Sequence, residues 1–385
     1  MLKKLADRVL YRDSRHYAAF PALVVSRDGD ILVLFRRARD HRWLGRGVAG
    51  ADAAALDRVD HVDPRSHLAL LRLSADLTPR GEPEILPPDI EAADQDANLL
   101  VLRDGRLLQA GFGWYPFPPG HADTIRGWGG GWIGSTEDTG CLFLFWGGYT
   151  RLSVDGGRSW SPRRWLPGLP GHADLVPGKR PLHGGAVRGR AVEAADGTIL
   201  LATYATHPKA GGRHACHLFA SPDGGEAWEY RSLIALDADG DAGYVEPSLH
   251  LAADGLLTAY VRTFALKDRL VTVVSRDLGR TWSAPRLHEG IKGHPWDVTD
   301  LPDGRRLAVC GWRHDPCGIR GWLWDPATQE IDQAAPVVIR DDAPTRDVGY
   351  PWAAVLPDGR LAVAYYFCDG EGVRHVAASL LSLDP

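Results

Sequence analysis

The sequence predicts an all-β protein in which six sheets stand radially around one axis, a six-bladed β-propeller. Two observations carry the prediction. A strand, an Asp-Gly turn and a second strand recur six times, at VVSRDGDILVLFR, VLRDGRLLQAGF, VEAADGTILLATY, EPSLHLAADGLLTAYVR, VTDLPDGRRLAVCGW and AVLPDGRLAVAYY. Asp-Gly between alternating apolar runs is the strongest short-range hairpin signal. The composition agrees, since 44 Gly, 27 Pro and 14 Trp accompany short alternating runs rather than helical spacing. Each repeat needs its neighbours to bury its apolar face, so one domain over residues 1–385 is expected despite the length.

In chain order, Arg8 to Tyr11 is the candidate outer strand of the last repeat, because pairing the two chain ends in one sheet removes a free edge. Repeat one runs from Pro21 to about Leu86, with a polar, Arg-rich loop from Arg36 to Arg58 and a third strand in HLALLRLSAD. Repeat two, Asp96 to about Trp165, contains the Gly- and Trp-rich loop GWGGGWIGSTEDTG. The Pro/Gly-rich connection LPGLPGHADLVPGKRPLHGG that follows suits a segment covering a binding face. Repeats three, four and five run from Arg188 to about Leu233, Glu246 to about Leu287 and His294 to about Val338. The sixth begins at Tyr350 and ends in VRHVAASLLSL.

Residues equally far from a hairpin turn face each other across the ladder. Eight positions before each turn Asp lie Phe20, Asp96, Arg188, Glu246, Pro295 and Tyr350. Eight positions after it lie Arg36, Phe112, Tyr204, Arg262, Gly311 and Tyr366. A radial arrangement turns these sets into two rings at one end, rich in arginine, tyrosine and carboxylate. Function is expected at that end, with Glu246 and Arg262 sharing one rim.

The net charge of −5 leaves no cationic excess for a phosphate backbone, and Lys and Arg form no stripe, so nucleic acid is not an expected partner. The five cysteines form no CxxC, which signals neither a disulfide framework nor zinc, and reduced, mostly buried thiols are expected. None of the 15 histidines has paired metal-ligand spacing, and no cofactor or metal is expected. No apolar run is long enough to span a bilayer and the N-terminus lacks an apolar signal region, so no membrane partner and a cytoplasmic location are expected; a chain trimmed of a signal peptide would read the same. The oligomeric state is open.

SVDGGRSW, SPDGGEAW and SRDLGRTW fit Ser-x-Asp-x-Gly-x-x-Trp at the same place in three repeats. This resembles the Asp-box of the sialidase (neuraminidase) superfamily. The Asp suits a turn whose amides it accepts, the Gly a positive φ, and the Trp a cover for the sheet edge. The resemblance implies that Trp160, Trp228 and Trp282 are structural and lie away from the active site.

Residue by residue, Glu246 and Arg262 are similar to the family's Glu opening and Arg closing the first hairpin of blade four, and Tyr350 is similar to its Tyr opening blade six. Asp63, just before the third strand of blade one, occupies the place of the acid/base Asp. The chain departs from the pattern where the family's first arginine precedes Ile-Pro, since Phe20 precedes Pro21 here. Arg313 lies near the place of the third arginine, and Arg36 enters the rim through the register. The implied activity is exo-acting hydrolysis releasing a terminal acidic sugar from a glycan. A phenol is a nucleophile that an anionic sugar does not repel, and Tyr350 would take that role with Glu246 accepting its proton. Asp63 would protonate the leaving oxygen, and Arg262 with Arg313 or Arg36 would bind a carboxylate. Asp96 and Arg188 join the substrate-binding set through the register alone. The rivals are a polysaccharide lyase, with Tyr350 or His294 abstracting a proton beside a uronate, and a non-catalytic glycan-binding propeller. Trp114, Tyr115, Trp128, Trp132 and Trp296 are candidates for stacking on sugar.

Overall fold

The computed structural model describes residues 2–40, 42, 63–128, 133–136 and 141–383, and its strands form six antiparallel sheets. Blade one pairs His16–Val25, Ile31–Arg39, His67–Leu73 and Glu84–Ile85 in that order. Blade two pairs Ala93–Val101, Leu107–Phe117, Cys141–Ser153 and Arg164–Trp165, with Ile133–Thr136 added beside the third strand. Blade three consists of Val192–Glu193, Ile199–Thr206, His214–Ser221 and Glu229–Ala235. Blade four follows with Gly243–Leu251, Leu257–Phe264, Arg269–Ser275 and Arg286–Lys292, and blade five with Trp296–Asp300, Arg306–Trp312, Gly318–Trp324 and Pro336–Arg340.

Blade six closes the ring. Gly349–Val355, Leu361–Cys368 and Arg374–Leu383 are completed by the N-terminal strand Leu2–Tyr11, antiparallel to Arg374–Leu383. The strand expected at Arg8 to Tyr11 is therefore longer than its apolar text, because its outer face is solvated and reads as polar. All eight residues of Leu361–Cys368 are buried, as fits a strand flanked on both faces by other blades. Fully burying one Leu, Val or Ile contributes about 1.5–3 kcal/mol, so packing between blades dominates the stabilisation.

Both sequence motifs fold as their chemistry dictates. The turn glycines Gly29, Gly105, Gly197, Gly255, Gly304 and Gly359 take φ between 83° and 92°, a region where a Cβ would be strained. In the three boxes, Asp155, Asp223 and Asp277 each accept two turn amides through Oδ1. Two of the tryptophans also tie a blade to the one before it. Trp228 Nε1 donates to Thr150 Oγ1 at 3.0 Å and Trp282 Nε1 to Ser232 Oγ at 3.0 Å. Cys216, Cys310 and Cys368 are buried and Cys317 is partly so, all as free thiols.

Candidate active site

Four blades carry the same irregularity at the same distance from their turns. In blade one Ala19 pairs with Arg36 and Ala22 with Leu34, so Phe20 and Pro21 together face a single residue. The same bulge places Asp96 and Ala97 in blade two, Glu246 and Pro247 in blade four, and Tyr350 and Pro351 in blade six. The first residue of each bulge is left-handed: φ is 57° at Phe20, 47° at Asp96, 48° at Glu246 and 54° at Tyr350. Such a backbone costs a non-glycine residue about 1–3 kcal/mol. It also shifts the register by one, so these four side chains are re-aimed rather than left facing their expected cross-strand partners.

At the centre, Tyr350 Oη donates a short hydrogen bond to Glu246 Oε1. Arg262 Nη1 donates to Glu246 Oε2 at 2.8 Å and to Tyr350 Oη at 3.1 Å. One guanidinium thus holds both ends of the phenol–carboxylate pair. Burial first, and then the charge of Glu246, push the Tyr350 phenol well above its ordinary pKa, with Arg262 opposing. The proton rests on the phenol, already bonded to the base that would remove it.

Arg313 reaches the same place from the end of blade five. Its Nη2 donates to Tyr366 Oη at 2.8 Å, and its guanidinium carbon lies 5.8 Å from the centre of the Tyr350 ring. Tyr366 in turn donates to Asp347 Oδ1 at 2.8 Å, Tyr17 donates to both Asp347 oxygens at 3.0 and 2.9 Å, and Arg374 Nε pairs with Oδ2 at 3.0 Å. Asp347 lies outside the Asp-Gly register, and nothing in the sequence marks it as a hub. The Phe20 ring sits 4.6 Å from Tyr350 and 5.3 Å from Tyr366, filling the corner between blades one and six with an apolar wall.

The other expected site residues divide. Asp96 is buried, and its Oδ1 has no hydrogen-bond partner among the described residues. Arg36 is buried behind the rim, 4.9 Å from the Phe20 ring centre and 5.3 Å from that of Tyr17, with Nη1 at 3.4 Å from Ser66 Oγ. Asp63 lies in the turn that leads through Pro64, Arg65 and Ser66 into the third strand of blade one; Arg39 Nε donates to its two oxygens at 2.9 and 3.1 Å. His294 is buried at the start of blade five with both ring nitrogens lacking hydrogen-bond partners among the described residues. Burial, followed by the charges of Arg262 and Arg313, lowers its pKa to about 2, so the imidazole is neutral and weakly basic.

Arg188, which the register puts among the substrate-binding residues, is 2% exposed, and its guanidinium carbon lies 4.7 Å from the centre of the Tyr350 ring. The inner strand of blade three is reduced to Val192–Glu193, and residues 187–191 before it belong to no strand. Arg188 Nη1 donates to Ala97 O at 3.0 Å, and Nη2 to Pro21 O at 3.3 Å and Tyr350 O at 3.1 Å. These carbonyls belong to the bulges of blades two, one and six. Arg188 therefore braces the residues that line the site. Two positions on, Arg190 makes a second cross-tie, pairing with both oxygens of Asp297 at 2.8 Å and donating to Ala353 O at 2.9 Å.

Two aromatic candidates are also reassigned. Trp114 and Trp296 are buried in the packing of blades two and five. Tyr115 stacks on Trp146 at 4.7 Å, while Trp132 lies outside the described residues. Among the described residues no group of three His, Cys, Asp or Glu is arranged to hold a metal ion.

Residues 126–363 match the profile of a family described as a BNR repeat-like domain. A protein of unknown function from Dyadobacter fermentans is 32% identical, with a TM-score of 0.87 over 100% of this chain and 99% of that one. A mutant NanB sialidase from Streptococcus pneumoniae is 14% identical, with a TM-score of 0.62 over 97% of this chain and 70% of that one. The intramolecular trans-sialidase from Ruminococcus gnavus is 15% identical, with a TM-score of 0.61 over 98% of each chain. At such identities the sialidases share the fold. No curated protein sequence matches the chain.

Proposed function

Because the chain belongs to the family of BNR repeat-like domains, on the propeller fold that sialidases also use, we propose that it is an exo-acting glycoside hydrolase releasing a terminal acidic sugar, sialic acid or a relative. The observation that carries the reading is the Tyr350–Glu246 hydrogen bond with Arg262 bridging both groups. A buried phenol is a poor nucleophile until its proton leaves, and Glu246 is in contact to take it. A neutral nucleophile escapes the repulsion that a carboxylate would meet from an anionic sugar, which is why sialidases are an exception to the two-carboxylate scheme. Arg262 stabilises the phenolate as it forms and, with Arg313, presents guanidinium donors to the substrate carboxylate. Asp63 takes the acid role by resemblance. With Phe20 in the place of the family's first arginine, the carboxylate grip rests on fewer cations and the sugar meets an aromatic wall instead.

Elimination beside a uronate is the second reading, favoured by the buried His294, whose Nδ1 lies 3.5 Å from Asp268 Oδ1. Its lowered pKa leaves it too weak a base to make that the first choice. The test is a screen of aryl glycosides of sialic acids, related nonulosonic acids and uronic acids. Hydrolysis predicts a free aryl alcohol and a saturated sugar. An unsaturated, ultraviolet-absorbing product would replace the reading by a lyase, and saturable binding without turnover by a binding module.

A further inference from the structure

We propose that Asp96, rather than Asp63, gives its proton to the leaving oxygen; the inference rests on the hydrolase reading and names its acid. Asp96 occupies in blade two the bulge position that Glu246 holds in blade four and Tyr350 in blade six, with φ of 47°, 48° and 54°. The same backbone device thus delivers nucleophile, base and Asp96 to one end of the axis. The residue is 3% exposed and its Oδ1 is buried without a hydrogen-bond partner among the described residues. A buried carboxylate in that state lacks the donors that would stabilise its charge, whereas a carboxylic acid is the neutral form that burial favours.

The groups facing Asp96 are Arg188, Glu246, Arg36 and Arg262, with the phenols of Tyr204 and Tyr350 close by. Burial outweighs the three guanidiniums, Glu246 adds to it, and the carboxyl is raised to about 7. Asp63 is arranged the other way. Both its oxygens accept from Arg39 Nε, and Oδ1 also accepts the amide of Arg65 at 2.8 Å. To act as a donor it would first have to give up that ion pair, so its geometry suits ordering the strand entry.

The step balances as follows. Glu246 takes the Tyr350 proton while the phenolic oxygen forms a bond to the anomeric carbon. The bond from that carbon to the leaving oxygen breaks, its electron pair goes to the oxygen, and the Asp96 proton joins it there. In the second half, water attacks the anomeric carbon and gives its proton to the Asp96 carboxylate. The tyrosine oxygen leaves with its bonding pair and recovers the proton from Glu246.

Asp96→Asn and Asp63→Asn are to be compared on one sugar bearing leaving groups from 2,4-dinitrophenol to phenol. Loss of a proton donor is felt in proportion to the basicity of the leaving oxygen. Asp96→Asn is expected to keep most of its kcat/KM, which reports only the steps up to loss of the leaving group, on the dinitrophenyl glycoside and lose it about a hundredfold or more on the phenyl glycoside. A loss of kcat/KM in Asp96→Asn that is uniform across leaving groups means a binding contact and overturns the proposal. So does finding the leaving-group dependence in Asp63→Asn instead. Absence of turnover by the unmutated protein overturns the hydrolase reading and this one with it, a result distinct from either.

A second readout needs no substrate. The folded chain keeps a proton on Asp96 that the unfolded chain releases near the ordinary carboxylate pKa of about 4. Stability of the unmutated protein relative to Asp96→Asn must therefore fall as pH rises from about 4 towards about 7 and then level off. Melting temperatures whose difference does not change over that window would show an ionised Asp96 and overturn the proposal.

Discussion

Tyr350→Phe is expected to lower kcat by about three orders of magnitude or more on any glycoside the protein accepts, with substrate binding retained. The substitution removes one oxygen. The ring keeps its packing against Phe20 at 4.6 Å and Tyr366 at 5.9 Å, and the Glu246–Arg262 ion pair at 2.8 Å is untouched. What disappears is the atom that would bond to the anomeric carbon. Kinetics on the best substrate from the glycoside screen, with binding followed by calorimetry, separate the two effects. Turnover within tenfold of the unmutated protein would remove Tyr350 from the mechanism.

Arg188→Met is expected to destabilise the protein by about 3–5 kcal/mol, the range for removing one partner from a buried charged network. Methionine replaces most of the aliphatic volume, so packing is largely retained. The carbonyls of Pro21, Ala97 and Tyr350 lose their donors at three strained bulges, and the buried Asp96 loses a facing cation. Lysine should restore only part of the loss, because a single ammonium cannot reproduce the guanidinium fork across three blades. Denaturant unfolding measures this. A change below about 1 kcal/mol would mean that the bulges hold themselves and that Arg188 braces nothing.

Much of this architecture is legible in the sequence because the turns punctuate it. Asp-Gly fixes the hairpins, and counting from it singles out Glu246, Tyr350 and Arg262, which the structure brings into direct contact. The same count misleads where the backbone leaves the ladder. Three of the four bulges do carry a mark in the text, a proline as second residue at Pro21, Pro247 and Pro351, which counting from the turn ignores, whereas Asp96-Ala97 in blade two carries none. In blade three the inner strand gives way before Val192, and a residue placed by strand counting becomes a brace between blades. Long-range partners leave no local trace either. Arg39 on Asp63, Asp347 beneath Tyr366 and Tyr17, and the burial of Trp296 all depend on which elements fold together. Phe20 is the exception, since its departure from the arginine of the resembled family is plain in the text.

The central claim is that a phenol at the mouth, deprotonated by Glu246, bonds covalently to the sugar. It is tested most directly with an acidic glycosyl fluoride carrying a second fluorine beside the anomeric centre, which slows breakdown of any covalent intermediate. Mass spectrometry of the digested protein should then find the sugar on the peptide containing Tyr350, with no label in Tyr350→Phe or Glu246→Gln. Continued turnover with the label on a carboxylate, or with no label on any residue, would contradict the account.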